Sequence, residues 1–401
     1  MAAGASPSWR AAASSRRWKA EVTGRDAGFE AGFDAERTSG DPKERNLLQD
    51  FSAATALQSL APTPPPQPML TVADYRPSRW LRNAHVQSLL GTSALRSLHG
   101  ERALRACGAV DTVHLIDGGD GVRLQGVHSA IPGAPSRGLA LLLHGWEGSA
   151  DSSYMRLTAA QLLHRGFEVF RLNFRDHGDT HHLNEGLFHS NRIDEVVRAA
   201  CDVARRFARR PLVVAGHSLG GNFALRLALR APAAGLDIAH VAAVCPVLDP
   251  ARTMEAMEQG LRAYMWYFER KWRSSLARKR ALFPQLHAFD SQVLSLRMRP
   301  LTQWLVERHT DFGTLDNYFD GYSIAGSRLA GLQVPVSILM ATDDPVIPVE
   351  DFHHLQLPPT ARLEIAPWGG HCGFLENARL DGFAERWVAE RLATAAQAPA
   401  A

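Results

Sequence analysis

The sequence predicts an α/β protein built on a doubly wound, mostly parallel sheet. Three observations carry that expectation. Apolar strand-like runs alternate with segments of helical spacing, a G-x-S-x-G pentapeptide joins one such strand to the helix after it, and an acidic loop and then a histidine loop follow later strands.

The elements follow in order. Residues 112–116 and 122–128 alternate around Asp117-Gly118-Gly119-Asp120-Gly121, the pattern of a β-hairpin. Residues 139–143 form a continuous apolar run, as a strand buried on both faces does. Residues 152–165 have helical spacing, 168–174 read as the next strand, and 193–209 as an amphipathic helix. A third core strand at 211–215 is followed directly by a helix at 222–229. Strands at 241–247, 334–340 and 361–365 and a helix at 380–393 complete the series. From Asp249 to Gly331 the alternation stops, and the chain turns helical in flavour and rich in aromatics, Tyr264, Trp266, Phe268 and Trp272 among them. This stretch reads as a helical cap, about 250–330, inserted where open α/β sheets bind their ligands.

The chemistry centres on Gly216-His217-Ser218-Leu219-Gly220. A tight strand-to-helix turn lifts a serine hydroxyl clear of the backbone, the glycines allow the strand and helix to approach, and the helix N-terminus favours developing negative charge. Ser218 is therefore the expected nucleophile. Its base and orienter should follow in the order acid, then histidine. The strand at 334–340 leads into Asp343-Asp344-Pro345-Val346-Ile347-Pro348. Both acids at this strand end are candidates; resemblance to related hydrolases, whose acid commonly lies four residues before a proline, implies Asp344, with Asp343 the alternative, whose simpler role is bonding to backbone N–H groups of the turn. Asp249 is an outside candidate whose simpler role is a turn or cap residue. His371, in a glycine-flanked loop after the last strand, is the expected base. The oxyanion hole is expected from the backbone N–H groups of Leu219 and of Trp146, in His144-Gly145-Trp146-Glu147-Gly148. His177, His181, His182 and His189 cluster without an H-E-x-x-H pattern, so they read as a polar loop, and no metal or other cofactor is expected.

The chain has 401 residues, 45% hydrophobic and 21% charged, with a net charge of +3, and its charges are interspersed. That balance gives no nucleic-acid footprint. No run reaches the roughly 18 apolar residues of a membrane-spanning helix. The basic run Arg270, Lys271, Arg273, Arg278, Lys279 and Arg280 reads as a solvated face of the cap, with peripheral contact to an anionic lipid surface as the alternative. Four scattered cysteines without CxxC fit a reducing, cytoplasmic setting. Oligomeric state leaves no mark on the sequence. Residues 1–68 stand apart: rich in Ala, Ser and Arg, and ending in a proline-rich run, they read as a disordered tail. Two other readings stand beside it, a basic targeting segment and an over-extended gene start with Met69 as the first residue.

Several segments together resemble the YheT-like, abhydrolase-domain branch of the α/β-hydrolase superfamily. They are Trp80-Leu81-Arg82-Asn83-Ala84-His85-Val86-Gln87, His144–Gly148, Asn173-Phe174-Arg175, Gly216–Asn222, Asp343-Asp344-Pro345 and His371-Cys372-Gly373-Phe374. Asp176-His177 departs from that pattern, where small residues are commoner. The resemblance implies the α/β-hydrolase fold and hydrolysis of carboxylic esters, either short-chain esters or monoacylglycerols, through an acyl-enzyme. Acyl transfer by the same triad and a non-catalytic binding role are the alternatives. Epoxide and haloalkane hydrolysis are disfavoured, because relatives of that kind carry aspartate at the turn.

Overall fold

The computed structural model describes residues 70–207 and 211–397. The tail expected at 1–68, Met69 and the last residues of the helix expected at 193–209 lie outside the described residues. After two short 3-10 turns (Val72–Asp74 and Arg79–Leu81) come two α-helices, α1 (Ala84–Gly91) and α2 (Ala94–Ala106). Then come β1 (Val110–Gly119), β2 (Val122–Ala130), β3 (Leu139–Leu143), α3 (Ser153–Leu163), β4 (Glu168–Asn173) and α4 (Ile193–Phe207). They are followed by β5 (Leu212–His217), α5 (Leu219–Arg230) and β6 (Ile238–Val244). Five helices lie between β6 and β7: α6 (Pro250–Gln259), α7 (Arg262–Leu282), α8 (Ser291–Ser295), α9 (Met298–His309) and α10 (Leu315–Tyr322). The chain closes with β7 (Val336–Ala341), α11 (Glu350–His353), β8 (Ala361–Ala366) and α12 (Phe383–Ala395).

The strands form one sheet in the order β1-β2-β4-β3-β5-β6-β7-β8. β1 pairs with β2, and β2 with β4, in antiparallel register; every other pairing is parallel. The β1–β2 turn is Asp120-Gly121, both at positive φ, the two-residue turn whose twist matches the flanking strands. Every residue of β3, β5 and β7 is buried, which requires helices over both sheet faces and explains why β3 reads as an unbroken apolar run. One helical layer joins α2, α3 and α12, and α4 packs on α5.

Two departures from the sequence expectation have physical causes. First, α5 begins at Leu219, directly after Ser218, so Gly220 and Gly221 lie inside a helix. Glycine is a poor helix former, but here a β-carbon on residue 220 would collide with the carbonyl oxygens of Leu143 and His144. Second, α7 is not a uniformly solvated basic face. Lys279 is buried and pairs with Asp176 Oδ1 at 2.6 Å, while Lys271 Nζ donates to the Glu147 carbonyl at 2.6 Å. Asp176 also accepts from the Phe188 N–H at 2.9 Å. The residue that departs from the family pattern is thus the anchor that ties α7 to the loop after β4. Arg270 and Arg278 remain exposed.

The close approach at Gly220 yields a test. Gly220→Ala should destabilise the protein by at least the ~1–3 kcal/mol typical of overpacking a well-packed site. Urea unfolding of the variant checks this, and an unchanged midpoint would mean that β3 and α5 are not locked at this distance.

Candidate active site

Ser218 stands between the end of β5 and the first residue of α5, at φ 54° and ψ −121°. A non-glycine residue there stores on the order of 1–3 kcal/mol of strain. The turn is held by bonds on both sides: Ser218 N–H donates to Val244 O at 2.8 Å, and Asn222 N–H to Ser218 O at 3.1 Å. The buried Asn222 amide donates to Val247 O and Tyr322 O at 2.9 and 2.8 Å, fixing the start of α5 against the segment after β6 and the end of α10.

The structure brings Ser218, His371 and Asp344 together. His371 Nε2 lies 2.9 Å from Ser218 Oγ, and His371 Nδ1 lies 2.9 Å from Asp344 Oδ2. Asp344 is itself pinned, because its Oδ1 accepts from the N–H groups of Val346 and Ile347 at 2.8 and 3.0 Å. An ionised carboxylate only accepts, so Nδ1 carries a proton, and in the neutral imidazole the Nε2 lone pair faces the serine. Burial opposes a charge on His371, but the adjacent Asp344 carboxylate, joined by Cys372, outweighs it and raises the imidazole from 6.5 to about 9.

Asp343 points elsewhere. Its Oδ1 accepts from Gly370 N–H at 2.8 Å, so it grips the histidine loop rather than the imidazole, and burial raises its pKa. The backbone group it takes belongs to the histidine loop, whereas Asp344 takes two amides that follow Pro345. Asp249 caps α6, accepting from Ala251 and Arg252 N–H at 2.9 and 3.2 Å.

The histidine loop has further supports that the sequence reading did not single out. His371 N–H donates to Ser88 Oγ at 2.8 Å. One residue before Ser88, the buried Gln87 donates to Tyr75 Oη, Leu81 O and Leu375 O and accepts from Leu375 N–H at 2.6 Å. Gly370, at φ 53°, lies so close to α1 that any side chain there would strike Ala84 O and Ser88 Oγ. The signal was in the sequence, since Gln87 ends the Trp80–Gln87 motif, but nothing local to that motif says that it braces residue 371.

On the other side of Ser218 lies the loop after β3. A β-carbon on Gly145 would come within 3.3 Å of Ser218 Cβ, so this loop and the serine turn touch. His144 fixes the loop through Nδ1 to Gly145 O at 2.7 Å, while its Nε2 accepts from Phe174 N–H at 3.1 Å. Burial lowers His144 to about 4, which keeps it neutral as those bonds require. The Trp146 ring stacks on Phe268 at 5.4 Å and meets Trp272 edge-on at 5.5 Å, joining the loop to α7. Leu219, as the first residue of α5, has an N–H with no carbonyl partner inside its own helix.

A cavity of about 370 Å³ opens at Ser218 and His371. Its wall is largely apolar, with Phe188, Met254, Met257, Phe268, Leu305 and Tyr318 among the lining residues, several of them from the helices between β6 and β7. Its acids are Glu147, which burial raises to about 7, and Asp151, which is exposed and pairs with Arg156 at 2.8 Å. Two of the clustered histidines serve internal contacts: His177 Nδ1 donates to Arg175 O at 2.7 Å, and His181 Nε2 meets Ser275 Oγ at 2.8 Å. Among the described residues, no three of the cluster come within common ligating reach.

Known proteins resemble this chain in three ways. Residues 134–377 match the family described as serine aminopeptidase, S33 (Hydrolase_4). A Synechocystis protein named "Putative esterase slr0264" is 27% identical over 297 residues, which cover 66% of this chain and 77% of that one. The mouse protein named phospholipase ABHD3 is 24% identical over 258 residues, 61% of this chain and 60% of its own length. Among solved structures, the esterase Pf2001 of Pyrococcus furiosus superposes with a TM-score of 0.47 at 16% identity, over 73% of this chain and 91% of that one. The family match runs from the segment before β3 to the loop after His371, across the parallel sheet and the serine turn, and the chain accordingly belongs to the serine aminopeptidase S33 family of α/β hydrolases.

Proposed function

We propose that the protein hydrolyses carboxylic esters through an acyl-enzyme, with Ser218 as nucleophile, His371 as general base and acid, and Asp344 as orienter. The observation that carries this reading is the unbroken chain from Asp344 to His371 to Ser218, with both links at 2.9 Å. Ser218 Oγ attacks the ester carbonyl while His371 Nε2 takes its proton. His371 then gives that proton to the leaving alcohol, and water repeats the cycle on the acyl-enzyme. The Leu219 and Trp146 N–H groups are the proposed oxyanion donors, supported by their places on either side of Ser218.

Helices α6–α10 serve as the cap, and the cavity they help to line receives the apolar part of the substrate. At about 370 Å³ it falls in the range of roughly 300–1,000 Å³ that small ligands occupy, which suits short-chain esters or the acyl chain of a monoacylglycerol. A peptide substrate with a free amino terminus would need a negative partner for its ammonium group. The lining acids do not supply one, because Glu147 is raised toward neutrality and Asp151 is engaged with Arg156. Ester cleavage therefore fits the site better than aminopeptidase action.

A fluorophosphonate probe should label the wild-type enzyme, and Ser218→Ala should abolish both labelling and turnover of a soluble ester, a loss of about 10⁴–10⁶ in kcat. More than about a tenth of the wild-type rate in that variant would overturn the assignment. The two neighbouring aspartates should separate cleanly. Asp344→Asn should cost on the order of 10⁴ in kcat by presenting the wrong imidazole tautomer. Asp343→Asn keeps the oxygen that accepts from Gly370 and should lose no more than about tenfold. Kinetics of the two variants on one ester decide between them.

The pH dependence follows from His371. An imidazolium cannot accept the serine proton, and Asp344 stabilises the imidazolium. The wild-type kcat/KM should therefore rise as pH goes from 6.5 toward about 9. In Asp344→Asn the remaining activity should reach its plateau at lower pH. A wild-type profile that is flat across that interval would contradict the charge assignment.

A further inference from the structure

We propose that Cys245, Cys372 and His371 form a binding site for a thiophilic divalent cation such as Zn²⁺, and that filling it switches the enzyme off. The Sγ atoms of the two cysteines and a ring nitrogen of His371 all lie within 4.8 Å of one another, the one such group among the described residues. Ligands sharing one tetrahedral zinc, with bonds of about 2.3 Å to sulfur and about 2.0–2.1 Å to nitrogen, stand roughly 3.5–4 Å apart. The three side chains therefore need only a small adjustment to close on a common ion.

The backbone delivers both thiols to one place. Cys245 directly follows β6 at φ 44°, and its Sγ approaches Gly370 O at 4.0 Å. Cys372 sits at φ 58°, with Sγ 3.7 Å from Val244 O, the carbonyl that also receives Ser218 N–H. Glycine would relieve the conformation at either position, yet both carry thiols that meet between the end of β6 and the histidine loop. His371 and Cys372 line the cavity at Ser218, so a hydrated ion can enter by the substrate's route.

The donor set of two sulfurs and one imidazole selects zinc and cadmium over magnesium or calcium. Binding releases the two thiol protons to solvent, together with the imidazolium proton of His371 where that ring is charged, and the two thiolates offset the charge of the ion. The ion also takes a lone pair from the imidazole. At Nε2 this is the lone pair that accepts the Ser218 proton; at Nδ1 the Asp344 bond must break. Either mode removes the base. The switching part of the proposal rests on the reading of His371 as general base, whereas the binding part does not.

The test uses the full-length, reduced, chelator-treated protein with Zn²⁺ and Cd²⁺ as probes. Calorimetry should find one tight equivalent, and Cd²⁺ should produce a thiolate charge-transfer band in the ultraviolet. Hydrolysis of a soluble ester and fluorophosphonate labelling should both be lost on adding Zn²⁺ and restored by EDTA. Cys245→Ser and Cys372→Ser, each confirmed as folded by circular dichroism, should each weaken binding at least about 100-fold. Cys107→Ser, far from the site, should bind as the wild type does. A missing charge-transfer band, or inhibition that persists unchanged in both cysteine variants, overturns the proposal. If no ester is turned over at all, the ester reading fails, and calorimetry and the band still decide binding.

Discussion

The site depends on holding one imidazole between a buried carboxylate and a strained serine. The three groups come from the ends of β5, β7 and β8, so the histidine loop must return over two intervening strands to reach Ser218. That loop runs through left-handed conformations at Gly370, Cys372 and Phe374, and it has no regular secondary structure of its own to hold it. Its rigidity is supplied from outside: Ser88 takes the His371 N–H, Asp343 takes the Gly370 N–H, and Gln87 bonds Leu375 through both its amide oxygen and its amide nitrogen. Helix α1 is in this sense part of the site, although it touches no reacting atom.

Electrostatics separate the histidines near the site by partner rather than by burial. His144 and His217 are buried and are lowered to about 4 and about 3, so they stay neutral, His144 as a hydrogen-bonding group and His217 packed against the Tyr154 ring. His371, also largely enclosed, is moved the opposite way because Asp344 lies 2.9 Å from its ring. Burial alone lowers an imidazole, and only a fixed negative neighbour reverses the sign.

The helices between β6 and β7 are tied to the hydrolase core by contacts of two kinds. Trp146 joins its loop to α7 through Phe268 and Trp272, and the Asp176–Lys279 pair joins the loop after β4 to the same helix. Removing one partner of such a buried pair leaves an uncompensated charge. The position of α7 is therefore coupled to the loop that borders the serine.

Much was legible in the sequence because its signals are local. Apolar runs mark the strands of a parallel sheet, since burial on both faces removes the alternation, and the G-x-S-x-G turn places Ser218 whatever the rest of the chain does. The order of acid and histidine after later strands pointed to Asp344 and His371, the pair that the fold brings into contact. What the tertiary structure alone decided are facts about distance between segments remote in sequence. The need for glycine at 220 follows from the approach of Leu143, the burial of Lys279 from the carboxylate of Asp176, and the bracing of His371 from Ser88, 283 residues away along the chain. A local pattern reports propensity and periodicity; it carries no information about which remote carbonyl, carboxylate or hydroxyl will lie within about 3 Å, because packing settles that only after the elements have formed.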